Sequence, residues 1–239
     1  MKVIFDLDGT IIDSSERMYR LFCKLVPQCR LTKEEYWEYK RNKGNHKKLI
    51  ETKYPEVDFY EFNSKWMALI ETDEYLDMDK NYPDTIEVLD KLKVNHTLYL
   101  LTARQSKTKL MVELRRLGLL GFFDKVMATE GQCTKEKLLE QEIKKSLGLA
   151  DKSNIFISDM GKDIQLGKKI GYYCIGISHG FMSRSRLLRY EPDEIVGELV
   201  EILVNGNPPC PIHLTPTNPQ NPSPSPSPPK TPGTTTSAL

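Results

Sequence analysis

The chain lacks most of the features that would mark an extracellular, membrane or nucleic-acid-binding protein. Its five cysteines, Cys23, Cys29, Cys133, Cys174 and Cys210, form no CxxC pair and no Cys/His spacing suited to zinc. Such an odd, scattered set is expected to be reduced thiols in a cytoplasmic protein rather than a disulfide framework. No stretch approaches the ~20 apolar residues that span a bilayer. The one apolar run near the start is interrupted by Asp6 and Asp8, so no secretory leader is expected either. An excess of charge of one sign is also missing. Lys+Arg 34 against Asp+Glu 33 leave a formal net charge of +1 over 239 residues, so no global field draws the chain to nucleic acid or to an anionic surface. These exclusions leave a soluble protein with room for one moderate domain and an insertion, its oligomeric state unmarked.

What is present is an alternation of short apolar runs and amphipathic segments. Lys2–Phe5, Thr97–Leu101, Lys125–Ala128, Asn154–Ser158 and Tyr173–Ile177 read as strands. Between them, Thr85–Lys93, Ser106–Leu117, Thr134–Leu147 and Asp163–Ile170 carry apolar residues at helical spacing, and Gly118, Gly148 and Gly171 follow as stops. Strand and helix in turn predict an α/β fold with a parallel sheet and right-handed crossovers. Residues 13–82 break the rhythm. They show no convincing strand and several aromatic-rich helical patterns, and they read as an inserted helical module whose aromatics pack its own core. From 205 to 239 proline, serine and threonine dominate, and such a segment is expected to be a disordered, extended tail. The predicted domains are therefore 1–12 with 83–204 as the core, 13–82 as the insertion and 205–239 as the tail.

In open α/β sheets the functional groups gather beyond the carboxyl ends of the strands. There the first run stops at Asp6-Leu7-Asp8-Gly9-Thr10, two carboxylates one residue apart followed by turn chemistry. Carboxylates at such a place can hold a hard cation and share the work of nucleophile and acid/base. The next strand ends at Thr102-Ala103-Arg104, and the one at 154–158 runs into Asp159 and Asp163. The predicted helix from Thr134 offers Lys135 or Lys137 in its first turn. Lys135 is preferred because Leu139 and Ile143 follow four and eight residues later along the apolar face, while Lys137 stays open.

This constellation resembles the haloacid dehalogenase superfamily, in its phosphatase branch with a helical cap. Asp6-Leu7-Asp8-Gly9-Thr10 matches the DxDGT motif, and Ile11-Ile12-Asp13-Ser14 looks like the phosphoglycolate phosphatase and phosphoglucomutase relatives. The resemblance covers residues 1–204 and implies a Rossmann-like core with the insertion as cap. It also implies a Mg²⁺-dependent phosphatase acting on a small phosphorylated metabolite, phosphoglycolate being the leading guess. Asp6 is then the nucleophile and Asp8 the acid/base. Thr102 and Lys135 hold the phosphoryl oxygens. Asp6, Asp8 through its backbone carbonyl, and Asp159 supply metal ligands, and Asp163 orients a metal-bound water or the lysine. Asp8 must start protonated, for which a neighbouring carboxylate would raise its pKa. Arg104, two residues past Thr102, is expected to contact substrate, and the basic run Lys40–Lys48 to front the site if it is more than a solvated turn. The alternatives are a phosphomutase, a nucleotide or nucleic-acid-end phosphatase and, in another class, a non-catalytic interaction module recruited through the tail.

Overall fold

The computed structural model describes residues 1–143, 145 and 153–204. In chain order the elements are β1 (Lys2–Phe5), β2 (Ile12–Asp13), α1 (Ser15–Leu25), α2 (Lys33–Asn42), α3 (His46–Lys53), α4 (Phe59–Leu69), α5 (Asp73–Leu76), β3 (Lys80–Asn81), α6 (Thr85–Lys93), β4 (Thr97–Thr102), α7 (Lys107–Arg116), β5 (Lys125–Ala128), α8 (Lys135–Glu142), β6 (Ile155–Ser158), α9 (Gly161–Lys169), β7 (Tyr173–Ile177), α10 (Arg184–Leu187), β8 (Glu194–Val196) and α11 (Glu201–Val204).

The apolar runs become one six-stranded sheet in the order β5-β4-β1-β6-β7-β8, with every neighbouring pair parallel. A parallel sheet carries helices on both faces, so its central strands are apolar on both sides. In β1, Val3 and Phe5 face one cluster with Leu98, Leu100, Leu89 and Leu114. Ile4 faces the other, with Leu101, Leu139, Phe156 and Ile164. All three β1 residues are fully buried. Because β1 lies between β4 and β6, its carboxyl end, where Asp6 follows, lies in the middle of the sheet edge.

Helices α1 to α5 occupy the segment read from sequence as an insertion, and they bury a cluster of their own. Leu21, Phe22, Tyr36, Leu49, Phe62, Trp66 and Tyr75 form it. The Tyr36 hydroxyl lies 2.7 Å from His46 Nε2, and the His46 ring stands against Trp66 with centroids 4.2 Å apart. Most aromatics of this segment thus pack its core, whereas Tyr60 is exposed. Contrary to the reading of 13–82 as strandless, Asp13 and Lys80–Asn81 take part in a two-residue antiparallel ladder. It pairs Ile12 with Asn81 and Asp13 with Lys80 where the chain leaves the sheet layer and returns. Two residues per strand leave no periodicity to read, and β8, with three, escaped for the same reason.

The helix ends follow their local chemistry. Ser106 and Thr134 cap α7 and α8 by accepting from Lys109 N and Lys137 N, and Gly118 and Gly171 take positive φ after α7 and α9. Helix α9 starts at Gly161, two residues ahead of expectation. The predicted stop at Gly148 and the proline-rich tail lie outside the described residues. Among the described residues no helix is long and apolar enough to cross a membrane.

Candidate active site

The carboxyl ends of β1, β4 and β6 converge on one carboxylate cluster. Asp6 continues the β1 ladder, its N–H donating to Ile157 O at 3.0 Å. The next residues fold back into a tight loop. Gly9 sits there at φ +79°, and its N–H donates to Ile12 O at 2.8 Å. A Cβ on Gly9 would stand 2.3 Å from Asp159 Oδ2, so only glycine lets the loop close over that carboxylate. Thr10 ties the loop to the end of β6, since its hydroxyl donates to Asp159 Oδ1 and accepts from Asp159 N, both at 3.1 Å. The other oxygen of Asp159 accepts from Phe181 N at 2.6 Å.

Lys135, the first residue of α8, reaches into the cluster. Its ammonium is 2.6 Å from Asp6 Oδ1 and 2.6 Å from Asp163 Oδ2. Ser158 lies between the same carboxylates, 3.1 Å from Asp163 Oδ2 and 3.4 Å from Asp6 Oδ2. Of the two first-turn lysines, Lys135 is the one that reaches these carboxylates. Lys135 shares a helix face with buried Leu139, whereas Lys137 is exposed. Thr102, at the end of β4, is buried beside the cluster. Asp6, Asp8, Thr102, Lys135 and Asp163 form the floor of a cavity of about 650 Å³, whose wall is the outer face of α9 together with Phe181.

Two expected contributors are not on that wall. Arg104 is buried, with its guanidinium turned onto carboxylates: Nε donates to Asp8 Oδ2 at 2.7 Å, and Nη2 to Asp8 Oδ1 at 3.0 Å, Asp79 Oδ2 at 3.1 Å and Glu113 Oε1 at 3.2 Å. It anchors Asp8 instead of lining the cavity. The basic run also points elsewhere. Arg41 donates to Ser178 O, while Arg186 Nη1 holds the Lys40 and Arg41 carbonyls at 2.9 and 3.0 Å. Lys47 and Lys48 are exposed, and no residue between 14 and 79 lines the cavity.

Sequence reasoning missed Arg17, Asp79 and Glu113. Arg17 contacts Asp8 Oδ1 through Nη2, and its Nε is 3.1 Å from Asp79 Oδ1. One local signal was available: Glu113 occupies the i+3 position of the stripe Leu110, Leu114 and Leu117, and a charge on an apolar face requires a buried partner.

The electrostatics separate the two motif aspartates. Burial pushes Asp6 up to about 7; Lys135 opposes this and Asp163 adds to it. Asp8 goes the other way. Burial acts to raise it, but Arg104 and Arg17 outweigh that and hold it down at about 2. The protonated Asp8 expected from a neighbouring carboxylate is therefore not what this site favours, because the Arg104 and Arg17 guanidiniums dominate its surroundings. Asp159 lies well above the ordinary range through burial and the charge of Asp6. Lys135 is raised despite its burial by Asp163 and Asp6.

Among the described residues no group of three or more His, Cys, Asp and Glu side chains forms a ready metal cage. The donor set is narrower. The side chains of Asp6 and Asp159 repel each other in a buried site, and the Asp8 carbonyl that the resemblance adds to them belongs to the loop that follows Asp6. Asp6 is paired with Lys135, but Asp159 has no cation beside it among the described residues; buried carboxylate oxygens of this kind suit a hard divalent cation, so these residues fit one. The Asp8 carboxylate, held by the arginines, is not part of that set.

The comparisons agree with this geometry. A family model described as haloacid dehalogenase-like hydrolase matches residues 3–177. Among solved structures, a haloacid dehalogenase-like hydrolase from Streptococcus pneumoniae superposes with a TM-score of 0.70 at 20% identity, covering 84% of this chain and 95% of its own. A predicted phosphatase from Clostridium acetobutylicum gives 0.67 at 21% identity over the same shares. One described as a predicted phosphoglycolate phosphatase, from Haemophilus somnus, gives 0.64 at 19% identity, again over 84% and 95%. No curated protein matches. With its motif loop, its parallel sheet and a family model spanning most of its length, the chain belongs to the haloacid dehalogenase-like hydrolases.

Proposed function

We propose that the protein is a Mg²⁺-dependent phosphomonoesterase that forms an aspartyl-phosphate on Asp6, with the helical insertion acting as its cap. The observation that carries this reading is the Lys135 ammonium fixed between Asp6 and Asp163 at the base of the cavity. Phosphoryl transfer depends mainly on positioning and charge stabilisation, and the floor supplies both. Asp6 Oδ1 is oriented by Leu7 N at 2.7 Å and by Lys135, which leaves Oδ2 to attack phosphorus. Lys135 and the Thr102 hydroxyl receive the phosphoryl oxygens. Mg²⁺, held by Asp6, Asp159 and the Asp8 carbonyl, would neutralise phosphate charge.

Asp8 is ionised in this arrangement. That is the form that takes a proton from the water that hydrolyses the aspartyl-phosphate; to protonate a departing alcohol, Asp8 must first take up a proton. Phosphoglycolate is the first substrate to try, because a solved structure of the same fold is described as a predicted phosphoglycolate phosphatase.

The test is phosphate release with Mg²⁺ from phosphoglycolate, sugar phosphates, nucleoside monophosphates and an aryl phosphate, for wild type beside Asp6→Asn. Release by the wild type alone supports the reading. Absence of release from every ester overturns it.

A further inference from the structure

The cavity wall carries a charge pattern that phosphoryl transfer does not use. Helix α9 presents Lys162, Gln165 and Lys169 to the cavity. Spacings of three, four and seven residues place them along one helix face. Lys169 is already paired, lying 2.5 Å from Glu136 and 3.6 Å from Glu140, and Lys135 is held by Asp6 and Asp163. The Lys162 side chain has neither a hydrogen bond nor an ion pair among the described residues. Among the described lining residues it is the one cation whose charge is uncommitted, and it lies one residue before Asp163, which contacts the phosphoryl-binding lysine. The insertion contributes nothing to the wall.

We infer that Lys162 is a specificity-determining residue that binds a second anionic group of the substrate, the scissile phosphate being held by the floor. Discrimination between phosphomonoesters then resides in α9 and not in the basic run of the insertion. The inference rests on the phosphatase reading for the identity of the first anion, and it names the substrate class as phosphomonoesters that also carry a carboxylate or a second phosphate. Lys162 is exposed at the cavity rim, so its flexible, uncommitted ammonium is free to turn onto an anion held beside the floor. Gln165, beside it on the same face, adds a neutral donor.

Binding of inert phosphonates tests this without relying on turnover. Methylphosphonate lacks the second anion, while phosphonoacetate and 3-phosphonopropionate carry it at two lengths. Calorimetry with the full chain in Mg²⁺ buffer would give the Kd of each for wild type, Lys162→Ala, and a Lys47→Ala/Lys48→Ala control in the basic run. In the wild type the better of the two carboxylated ligands is expected to bind about tenfold more tightly than methylphosphonate. Lys162→Ala should remove most of that ratio, and the control should keep it. The inference is overturned if Lys162→Ala weakens all three ligands equally or none of them. It is also overturned if only the control loses the ratio, or if no phosphonate binds. If the ratio depends on Lys162 while no ester is hydrolysed, the anion subsite stands and the phosphatase reading alone fails.

Discussion

At the scale of single residues, Lys135 and Gly9 carry the most. Among the described residues Lys135 is the only cation in contact with Asp6 and Asp163, and without it two buried carboxylates face each other uncompensated. Lys135→Met should lower kcat/KM by about 10²–10³-fold, the usual loss when one donor to a developing charge is removed. Its metal-free form should unfold at a lower temperature than the wild type. Mg²⁺ should recover part of that loss, because a divalent cation would supply the missing positive charge. A thermal-shift series with and without Mg²⁺, beside steady-state kinetics, measures both effects. Gly9→Ala tests the loop. The left-handed backbone costs an alanine about 1–2 kcal/mol, and the added methyl group would displace the Asp159 carboxylate that it meets at 2.3 Å. Activity is expected to fall further than stability, and the Mg²⁺ concentration needed for half-maximal activity should rise. An unchanged Mg²⁺ dependence would remove Asp159 from the metal set.

At the scale of elements, the site depends on where α8 begins. Thr134 caps the helix by accepting from Lys137 N at 3.2 Å, which fixes the first turn and with it Lys135. Thr134→Ala should cost about 1 kcal/mol and lower Tm by a few degrees, about 2–4 °C for a chain of this size. Thr134→Ser should restore both stability and kcat. Much of this level could be read from the sequence. The runs that form β1 and β4 stop at residues of the cavity floor, Asp6 and Thr102, and the run that forms β6 stops at Asp159, which Thr10 ties to the motif loop. The buried row through Leu139 selected Lys135 over Lys137. The short elements were not legible, since a ladder of two or three residues has no period. Nor was the fate of Arg104 and of the basic run. Their positions in the chain suggested solvent or substrate, and only tertiary contacts turn Arg104 onto Asp8 and dock Arg41 on Ser178.

At the scale of the whole molecule, the sheet layer and the helical insertion are joined by a buried ionic network. Arg17 stands just after the chain enters the insertion and Asp79 just before it returns, while Asp8, Arg104 and Glu113 belong to the sheet layer. Breaking such a network costs far more than breaking an exposed pair. Arg17→Met should destabilise the fold by about 3–5 kcal/mol, whereas removing Lys65 from its exposed pair with Glu61 should cost no more than about 0.5 kcal/mol. The network holds three carboxyl groups against two guanidiniums, and a proton on Asp79 brings it to neutrality. Burial, the charge of Asp8 and the neighbouring Glu113 push Asp79 up to about 9 from its ordinary 3.8, against the pull of Arg17. The folded protein therefore binds a proton at Asp79 that the unfolded chain releases across that interval. Where the native state holds more protons than the unfolded state, stability falls as pH rises. The Asp79 contribution should thus decline from about pH 4 and level off above about pH 9. Asp79→Asn mimics the protonated group and cannot titrate. At neutral pH it should cost less than about 1 kcal/mol, in contrast to Arg17→Met, because no charge is removed from the network. Urea unfolding of both proteins in EDTA at about pH 6 and about pH 8 separates this term from that of Asp6, which both retain. Wild type should lose more stability than Asp79→Asn between the two pH values. Equal losses would mean that Asp79 is ionised in the folded protein, and the insertion would then be held to the sheet layer across a net buried negative charge.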